Sequence, residues 1–307
     1  MALAGAAGGV MFVTARPQPA GPTPWREALA VREQAPFPRT FDGVVIAMAP
    51  QRIVAASVLS ADVLLAIAPR ERIAGVHWLA ADARYCESAA QAAALPVVGA
   101  EPEQLIAVRP DLVVVDEFSR AEVPLLLGSV GVAVLRTQSV HDFDDVADNV
   151  RRIGYAVGCD AAAETVVGEL RARLQVLAAG AAAVADWRVM NLNGALDTYG
   201  SRSLLDAAVR AAGARHLPAE QGVGGYQKLD IETVLSWQPD ALIVGVEPGQ
   251  DAAMAAWLHQ QPGLSLLPCV QRDRVLYLPN SLLGATSPVA VAIAERIQQQ
   301  LSRWGHP

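Results

Sequence analysis

The chain has 307 residues, a length typical of about two domains, and its 24 basic and 31 acidic side chains leave a formal charge of −7. Hydrophobic residues make up 52% and charged residues 18%, which excludes a chain that is disordered throughout. The acidic balance and scattered arginines exclude a sequence-independent nucleic-acid binder, which needs a basic stripe.

The first residues form a short apolar run that ends in Val13-Thr14-Ala15. An apolar segment ending in small residues is typical of the second half of a secretory signal, although no Lys or Arg precedes this one. Residues 1–15 are therefore a candidate signal segment, with a start further upstream or a disordered Ala/Gly tail as the alternatives. The Pro-rich residues 16–50 predict an extended lead-in.

Residues 51–139 predict an N-terminal α/β lobe, because apolar strands alternate there with short helices. Unbroken Val- and Leu-rich strands between helices are typical of a parallel sheet covered on both faces. The predicted strands are Arg52–Ala56, Arg72–Val76, Pro110–Val115 and Val132–Leu135, and the predicted helices are Ser60–Ile67 and Pro102–Val108.

Residues 140–181 predict two linking helices. Apolar side chains recur every three or four residues from Phe143 to Val157, and Ser139 with Asp142 suggests a capping box at the start. After an interruption at Gly158, a second helix from Ala161 to about Ala179 would be ~28 Å long.

Residues 182–307 predict a second α/β lobe. Its strands are Arg188–Leu192, Asp240–Val244 and Arg274–Leu278, and its helices are Ser203–Ala212, Leu229–Trp237 and Pro288–Leu301. Glu232–Val244 repeats Glu103–Val115 at a constant offset: in both, a helix that begins with Glu leads through Pro-Asp into a buried strand. This internal repeat indicates two copies of one unit.

No motif for catalysis or for a metal is evident. The three cysteines and the histidines lack the spacing of metal ligands, and no nucleophile elbow or phosphate loop is present. Gly222–Tyr226 does not connect a strand to a helix in the required order, so we interpret it as a flexible rim. We therefore predict a protein that is not an enzyme.

The chain resembles the iron-siderophore and cobalamin class of substrate-binding proteins of ABC importers, from about Pro50 to Leu301. The resemblance rests on Arg52-Ile53-Val54 before a Ser-containing loop, on Arg72–Val76, on Val150–Gly154 and on both copies of the repeat. It implies two Rossmann-like α/β lobes with mainly parallel sheets, joined by a single long linking helix, with the ligand in the cleft between them. The chain departs from the family's usual Ser-Pro-Ser loop and following Glu: it has Ser57-Val58-Leu59-Ser60 and Asp62, which suggests a more apolar cleft floor.

The resemblance also implies an exported, periplasmic monomer with no intrinsic cofactor that binds a ferric siderophore, cobalamin or haem. Glu103 and Glu232 match the glutamates with which such proteins dock onto a permease dimer. A haem-binding or sensor protein of the same fold, and a two-lobed α/β enzyme, are the alternatives.

Ligands of open α/β sheets bind beyond the carboxyl ends of the strands, and large chelates require aromatic and apolar walls with a few polar groups. Arg136 is the best candidate cation for an anionic siderophore. The candidate binding residues are Ser57, Leu59, Trp78, Tyr85, Phe118, Arg136, Asn193, Tyr199, Tyr226, Glu247 and Asn280.

Overall fold

Two short antiparallel strands, β1 (Arg39–Phe41) and β2 (Val44–Ile46), begin residues 36–307, the part of the chain that the computed structural model describes. Asp42 and Gly43 connect them with positive φ angles of 44° and 79°. An Asp-Gly pair is the preferred two-residue hairpin turn. Residues 39–46 of the predicted extended lead-in therefore form a hairpin, whereas the candidate signal segment lies outside the described residues.

The first parallel sheet is the centre of the N lobe. Its strands are β3 (Ile53–Ala55), β4 (Ile73–His77), β5 (Val97–Val98), β6 (Leu112–Val115) and β7 (Ala133–Arg136). They lie in the order β5-β4-β3-β6-β7, and every neighbouring pair is parallel. The side chains of β3 and β6 are buried throughout, as expected for strands covered on both faces.

The second parallel sheet is the centre of the C lobe, and an antiparallel ribbon accompanies it. The strands of this lobe are β8 (Arg188–Asn191), β9 (Asp197–Tyr199), β10 (Arg215–His216), β11 (Tyr226–Lys228), β12 (Ala241–Val246) and β13 (Val275–Pro279). The sheet has the order β10-β8-β12-β13, and β9 pairs with β11 to form the ribbon. The interpretation of Gly222–Tyr226 as a flexible rim is therefore wrong at its end, because Tyr226 begins β11.

The helices cover both sheets and connect the lobes. In the described residues they are α1 (Val58–Ile67), α2 (Ala89–Ala92), α3 (Pro102–Ala107), α4 (Glu122–Ser129), α5 (Phe143–Val157), α6 (Asp160–Gly180), α7 (Leu204–Ala211), α8 (Leu217–Glu220), α9 (Ile231–Trp237), α10 (Asp251–Gln260), α11 (Pro268–Gln271), α12 (Asn280–Leu283) and α13 (Val291–Trp304). None of these helices is both long and apolar enough to cross a membrane.

The linking helices α5 and α6 pack closely against each other. Gly158 ends α5 in the left-handed conformation, and a Cβ atom on Gly154 would lie 2.4 Å from the Cβ of Ala163 on α6. The predicted capping box at Ser139 is wrong: Asp142 caps α5 and accepts the backbone N–H of Asp145 at 2.9 Å. Ser139 lies three residues before the N-cap, and its hydroxyl instead donates to the carboxylate of Glu117.

The internal repeat corresponds to one structural unit in each lobe. Asp111 accepts the backbone N–H groups of Gln51 and Arg52, at 2.6 and 3.0 Å, and so joins the start of β6 to the start of β3. Asp240 accepts the backbone N–H of Arg188 at 3.0 Å, at the equivalent place between β12 and β8. In each lobe, the aspartate of the repeat therefore joins the starts of two neighbouring parallel strands.

The largest apolar cluster continues from one lobe to the other. It contains Leu64 of α1, Ile153 of α5, Leu170 of α6 and Ile297 of α13, all at most 1% exposed. Two smaller clusters cover the other faces of the two sheets. The linking helices are therefore part of a shared core, which fixes the positions of the loops at the carboxyl ends of the strands.

Candidate ligand-binding cleft

A pocket of about 380 Å³ lies at the carboxyl edge of the N-lobe sheet, and we call it the cleft pocket. Loops after β3, β4, β6 and β7 supply most of its walls, and the C lobe contributes two residues after α12. Its lining residues are Ala56, Ser57, Val58, Leu59, His77, Leu79, Ala100, Asp116, Glu117, Phe118, Ser119, Thr137, Gln138, Val140, Gly284 and Thr286. The carboxyl-edge rule thus predicted the place of this pocket.

The floor of the cleft pocket is the first turn of α1. The Ser57 hydroxyl accepts the backbone N–H of Ser60 at 3.2 Å, and the Ser60 hydroxyl accepts the backbone N–H of Ser57 at 3.0 Å. This reciprocal capping box occupies both hydroxyls locally. Val58 and Leu59 therefore provide an apolar surface beside them, as the loop sequence suggested.

His77 ends β4 and lies buried in the wall of the cleft pocket. Its Nδ1 accepts the backbone N–H of Leu79 at 3.3 Å, so the proton of the neutral ring lies on Nε2. Burial lowers the pKa of His77, and the negative charge of Asp116 only partly opposes that shift. A neutral His77 is consequently a hydrogen-bond donor at Nε2.

Two exposed aromatic rings follow His77 in the chain. The ring centroid of Trp78 lies 5.7 Å from that of His77 and 6.1 Å from that of Tyr85, which meets it edge-on. Trp78 is 47% exposed and Tyr85 44% exposed. Edge-to-face pairing holds both rings while it leaves apolar surface available to a ligand.

The loop after β6 presents two carboxylates and an aromatic ring. Asp116 accepts the backbone N–H of Phe118 at 3.1 Å and the hydroxyl of Ser119 at 3.0 Å, which leaves the Phe118 ring 84% exposed. The Arg136 guanidinium donates to the backbone carbonyls of residues 117 and 119, both at 3.3 Å. Arg136 therefore supports this loop and is not among the residues that line the cleft pocket.

The ribbon of the C lobe carries a pair of tyrosines. The rings of Tyr199 and Tyr226 are 5.0 Å apart and both are exposed. A hydrogen bond between the Tyr226 hydroxyl and Asp197 raises the pKa of Tyr226 and lowers that of Asp197. Asn193 donates to Asp197 at 3.1 Å, so these side chains form one hydrogen-bonded group.

Glu247 and Asn280 meet beyond the strands β12 and β13. The Asn280 amide donates to the Glu247 carboxylate at 2.9 Å. A Cβ on Gly245 would lie 2.2 Å from the Asn280 Oδ1 atom, so a side chain at residue 245 would displace the Asn280 amide. The candidate residues of the C lobe lie on loops, on ribbon strands or at the start of α12, and outside the lining of the cleft pocket: Asn193, Tyr199, Tyr226, Glu247 and Asn280.

Two hydrogen bonds connect the lobes beside the cleft pocket, and sequence reasoning missed both. Buried Asp62 of α1 accepts the hydroxyl of Ser287 at 2.6 Å, and Glu87 accepts the hydroxyl of Ser281 at 2.5 Å. Asp62 also accepts the thiol of Cys86 at 3.3 Å, and burial raises the pKa of that thiol to about 12. The only signal in the sequence for either bond was Asp62, an acidic residue within the largely apolar helix Val58–Ile67.

Sequence reasoning therefore found the cleft pocket through Ser57, Leu59 and Phe118. It missed Gln138 and Thr286 on the opposite walls, because neither belongs to a recognisable pattern. Among the described residues, no group of three or more His, Cys, Asp or Glu side chains could hold a metal ion.

Glu103 and Glu232 occupy equivalent positions, in the first turns of α3 and α9. Both side chains are exposed, and neither makes a hydrogen bond or ion pair with another described residue. Each carboxylate is therefore accessible to a partner, one on each lobe.

Comparison with known proteins gives one sequence family and many similar folds. The profile of the periplasmic binding protein family matches residues 53–282, whereas no curated protein sequence matches the chain. Among solved structures, a periplasmic haem-binding protein from Pseudomonas aeruginosa is 25% identical, with a TM-score of 0.68 over 83% of this chain and 93% of the other.

Two further solved structures share the two-lobed fold. An Fe³⁺-hydroxamate transport protein from Saccharomonospora viridis is 22% identical, with a TM-score of 0.68 over 86% of this chain and 99% of the other. The vitamin B12-binding protein of Vibrio cholerae is 19% identical, with a TM-score of 0.65 over 83% of this chain and 98% of the other. The predicted architecture of two α/β lobes with parallel sheets is confirmed.

Proposed function

The chain belongs to the periplasmic binding protein family, and we propose that it is the substrate-binding component of an ABC importer that captures a metal chelate between its lobes. The observation that carries this proposal is the cleft pocket, which residues of both lobes line. The family consists of binding proteins, in agreement with the prediction that this chain is not an enzyme. The proposed ligand is a ferric siderophore, haem or cobalamin.

The surfaces around the cleft pocket support a broad, partly apolar ligand. Phe118, Trp78 and Tyr85 lie exposed on the N lobe, and Tyr199 and Tyr226 on the C lobe. Exposed aromatic rings cost free energy in a protein without a partner for them, and ring systems or chelates bury such surfaces well. The shared core of the lobes favours a preformed cleft with small closure, so that little binding energy is lost in reorganisation.

The experiment that tests this proposal measures melting temperature and tryptophan fluorescence with a ferric siderophore, haem and cobalamin in turn. A true ligand at one hundred times its Kd stabilises the protein by about 2.7 kcal/mol, which raises the melting temperature. It also quenches Trp78, and Trp78→Phe loses more of the quenching than Trp257→Phe, whose ring is partly buried in the C-lobe core. If the whole panel changes neither signal, the proposed ligand class is wrong.

Delivery requires a partner, and Glu103 and Glu232 are the residues that we propose for docking to a permease dimer. Their equivalent, accessible positions suit two equivalent subunits of a symmetric partner. Export would place the chain in the periplasm as a monomer. N-terminal sequencing of protein from its host tests export: a new terminus directly after Ala15 supports it, and an intact Met1 contradicts it.

A further inference from the structure

The cleft pocket has an unbalanced charge. Among its described lining residues, Asp116 and Glu117 are acidic and none is Lys or Arg. The third titratable residue of the lining, His77, is held in its neutral form by burial at neutral pH. A ligand in this pocket therefore meets two carboxylates and no compensating cation.

The arginines of the surrounding N-lobe loops are already engaged. Arg136 donates to backbone carbonyls, as described above. Arg84 forms hydrogen bonds of 2.5 to 3.1 Å with the carboxylate of Asp82, and Arg120 donates to Glu101 at 2.8 Å. Redirecting any of them toward an anionic ligand would break interactions that the protein already has.

Charges on the facing loops of the C lobe do not reverse this balance. Glu247 adds a further carboxylate, which accepts a hydrogen bond from the neutral Asn280 amide and interacts electrostatically with Arg84. Lys228 acts on Asp197, because its charge contributes to the lowered pKa of that carboxyl. Arg202 follows the ribbon strand β9 and does not line the cleft pocket.

We propose, on the basis of the proposed function, that the cleft pocket selects neutral or cationic chelates and discriminates against polyanionic ones. An anion that enters a partly dehydrated pocket loses hydration and is repelled by fixed carboxylates, and no Lys or Arg among the described lining residues offsets either cost. A neutral chelate avoids both penalties. The hydroxyl of Thr137 and the Nε2–H of His77 supply uncharged donors for its oxygen atoms.

Calorimetric titration of three pairs of compounds that differ in charge tests this selectivity; the second and third pairs are matched in structure. The pairs are ferrichrome (neutral) against ferric enterobactin (a trianion), the diamide of haem against haem, and cyanocobalamin against its monocarboxylic acid. In whichever pair binds, we expect the less negative member to bind more tightly, by about threefold for each negative charge removed at 50 mM salt. The preference should shrink at 500 mM salt, because mobile ions screen the carboxylates.

The outcomes separate the two proposals. If the more negative member of a binding pair binds as tightly or more tightly, the charge selectivity is wrong and the proposed function stands. If none of the six compounds binds, the proposed function is wrong, and the proposed selectivity, which rests on it, is wrong as well.

A variant pair assigns the effect to the cleft pocket. Glu117→Gln preserves an acceptor for Ser139 and should reduce the preference about threefold, and Asp116→Asn provides a second variant should the first fold poorly. Glu71→Gln removes the same charge from an exposed side chain before β4, at the opposite edge of the sheet, and should leave the preference unchanged. An equal change in Glu117→Gln and Glu71→Gln, or no change in the pocket variants, would overturn the proposal.

Discussion

The two lobes are built alike at one edge of their sheets and differently at the other. At the amino edge, Asp111 and Asp240 each bind the start of the neighbouring strand, and Arg109 and Gln238 before them both have positive φ angles, 50° and 48°. The guanidinium of Arg52 donates to the carbonyls of residues 108 and 109, and that of Arg188 donates to the carbonyl of residue 238. The same backbone geometry is thus stabilised in the same way twice.

At the carboxyl edge the equivalent strands β4 and β10 both end in a buried histidine, in different surroundings. His77 lines the cleft pocket, whereas His216 contacts Asp206 at 3.1 Å and Asn191 at 3.3 Å. The C lobe also carries the ribbon of β9 and β11, which the N lobe lacks within the described residues. The comparison shows that the two lobes share their hydrogen bonding at the amino edge and differ in their loops at the carboxyl edge, the edge at which ligands of α/β sheets bind.

The largest expected effect tests whether the lobes are equivalent toward a partner. Reversing both charges, with Glu103→Arg and Glu232→Arg, should reduce uptake by cells more than about tenfold, because each reversal replaces attraction by repulsion at a proposed docking site. Ligand affinity measured by calorimetry should be unchanged. The two single variants should each give a similar, intermediate loss, and a strong loss from only one of them would show that the lobes dock unequally.

The contact between the linking helices tests whether the lobes depend on a shared core. Gly154→Ala should lower the free energy of unfolding by about 1–3 kcal/mol, because the added methyl group would overlap Ala163. Gly168→Ala on α6 is the matched control: no atom lies within 4 Å of its Cβ position, so we expect stabilisation of about 0.5–1 kcal/mol. Urea denaturation measures both, and equal effects would contradict the packing argument.

Asp111 and Asp240, the aspartates of the repeat, allow a direct comparison of the amino edges of the two sheets. Asp240→Ala should cost about 1–2 kcal/mol of stability, since Asp240 binds both the backbone N–H and the guanidinium of Arg188. Asp111→Ala should cost about 1 kcal/mol or less, because its hydrogen bonds are exposed to water. Chemical denaturation gives both values, and a larger loss from Asp111→Ala would reverse the order that we derive from burial.

The smallest expected effect concerns His77 and pH. Because its pKa is lowered in the folded protein, the unfolded chain binds the proton more readily. The stability contributed by neutral His77 is therefore complete above the ordinary pKa of about 6.5 and is lost as the pH falls through that value toward the lower folded pKa. His77→Asn keeps an acceptor for the N–H of Leu79 and should weaken this acid dependence in melting experiments. If His77→Asn leaves the pH dependence of the melting temperature unchanged, the assignment of this acid dependence to His77 is wrong.

The elements with a strong local pattern were predictable. The seven predicted strands lie within two residues of their predicted bounds, because unbroken apolar runs between turn residues can be buried in only a few ways. The two-residue strands β5 and β10 were not predicted. Helices α4 and α10 were not predicted: Glu122–Ser129 contains a proline, and Asp251–Gln260 has no clear apolar stripe. The ribbon was missed because its two strands, of three residues each, are separated in the chain by α7, β10 and α8.

The location of the candidate site was predictable from the sequence, whereas most of the contacts within it were not. Strand ends are visible in the sequence, so the loops that carry Ser57 and Phe118 could be selected in advance. The hydrogen bonds of Arg136 could not be predicted, because its partners are backbone carbonyls that come near only when β6 and β7 pair. The interlobe bond between Asp62 and Ser287, 225 residues apart, has no local signature at all.

By itself the sequence determined the two-lobed architecture, because the periodicity of apolar residues and the repeated Glu, Pro and Asp are local patterns that are visible without the tertiary structure. It also supplied the accessible positions of Glu103 and Glu232, through their equivalence in the repeat. Only the tertiary structure decided the charge of the cleft pocket. Which arginines are engaged, and which carboxylates face the ligand, depends on contacts between loops that are distant in the chain.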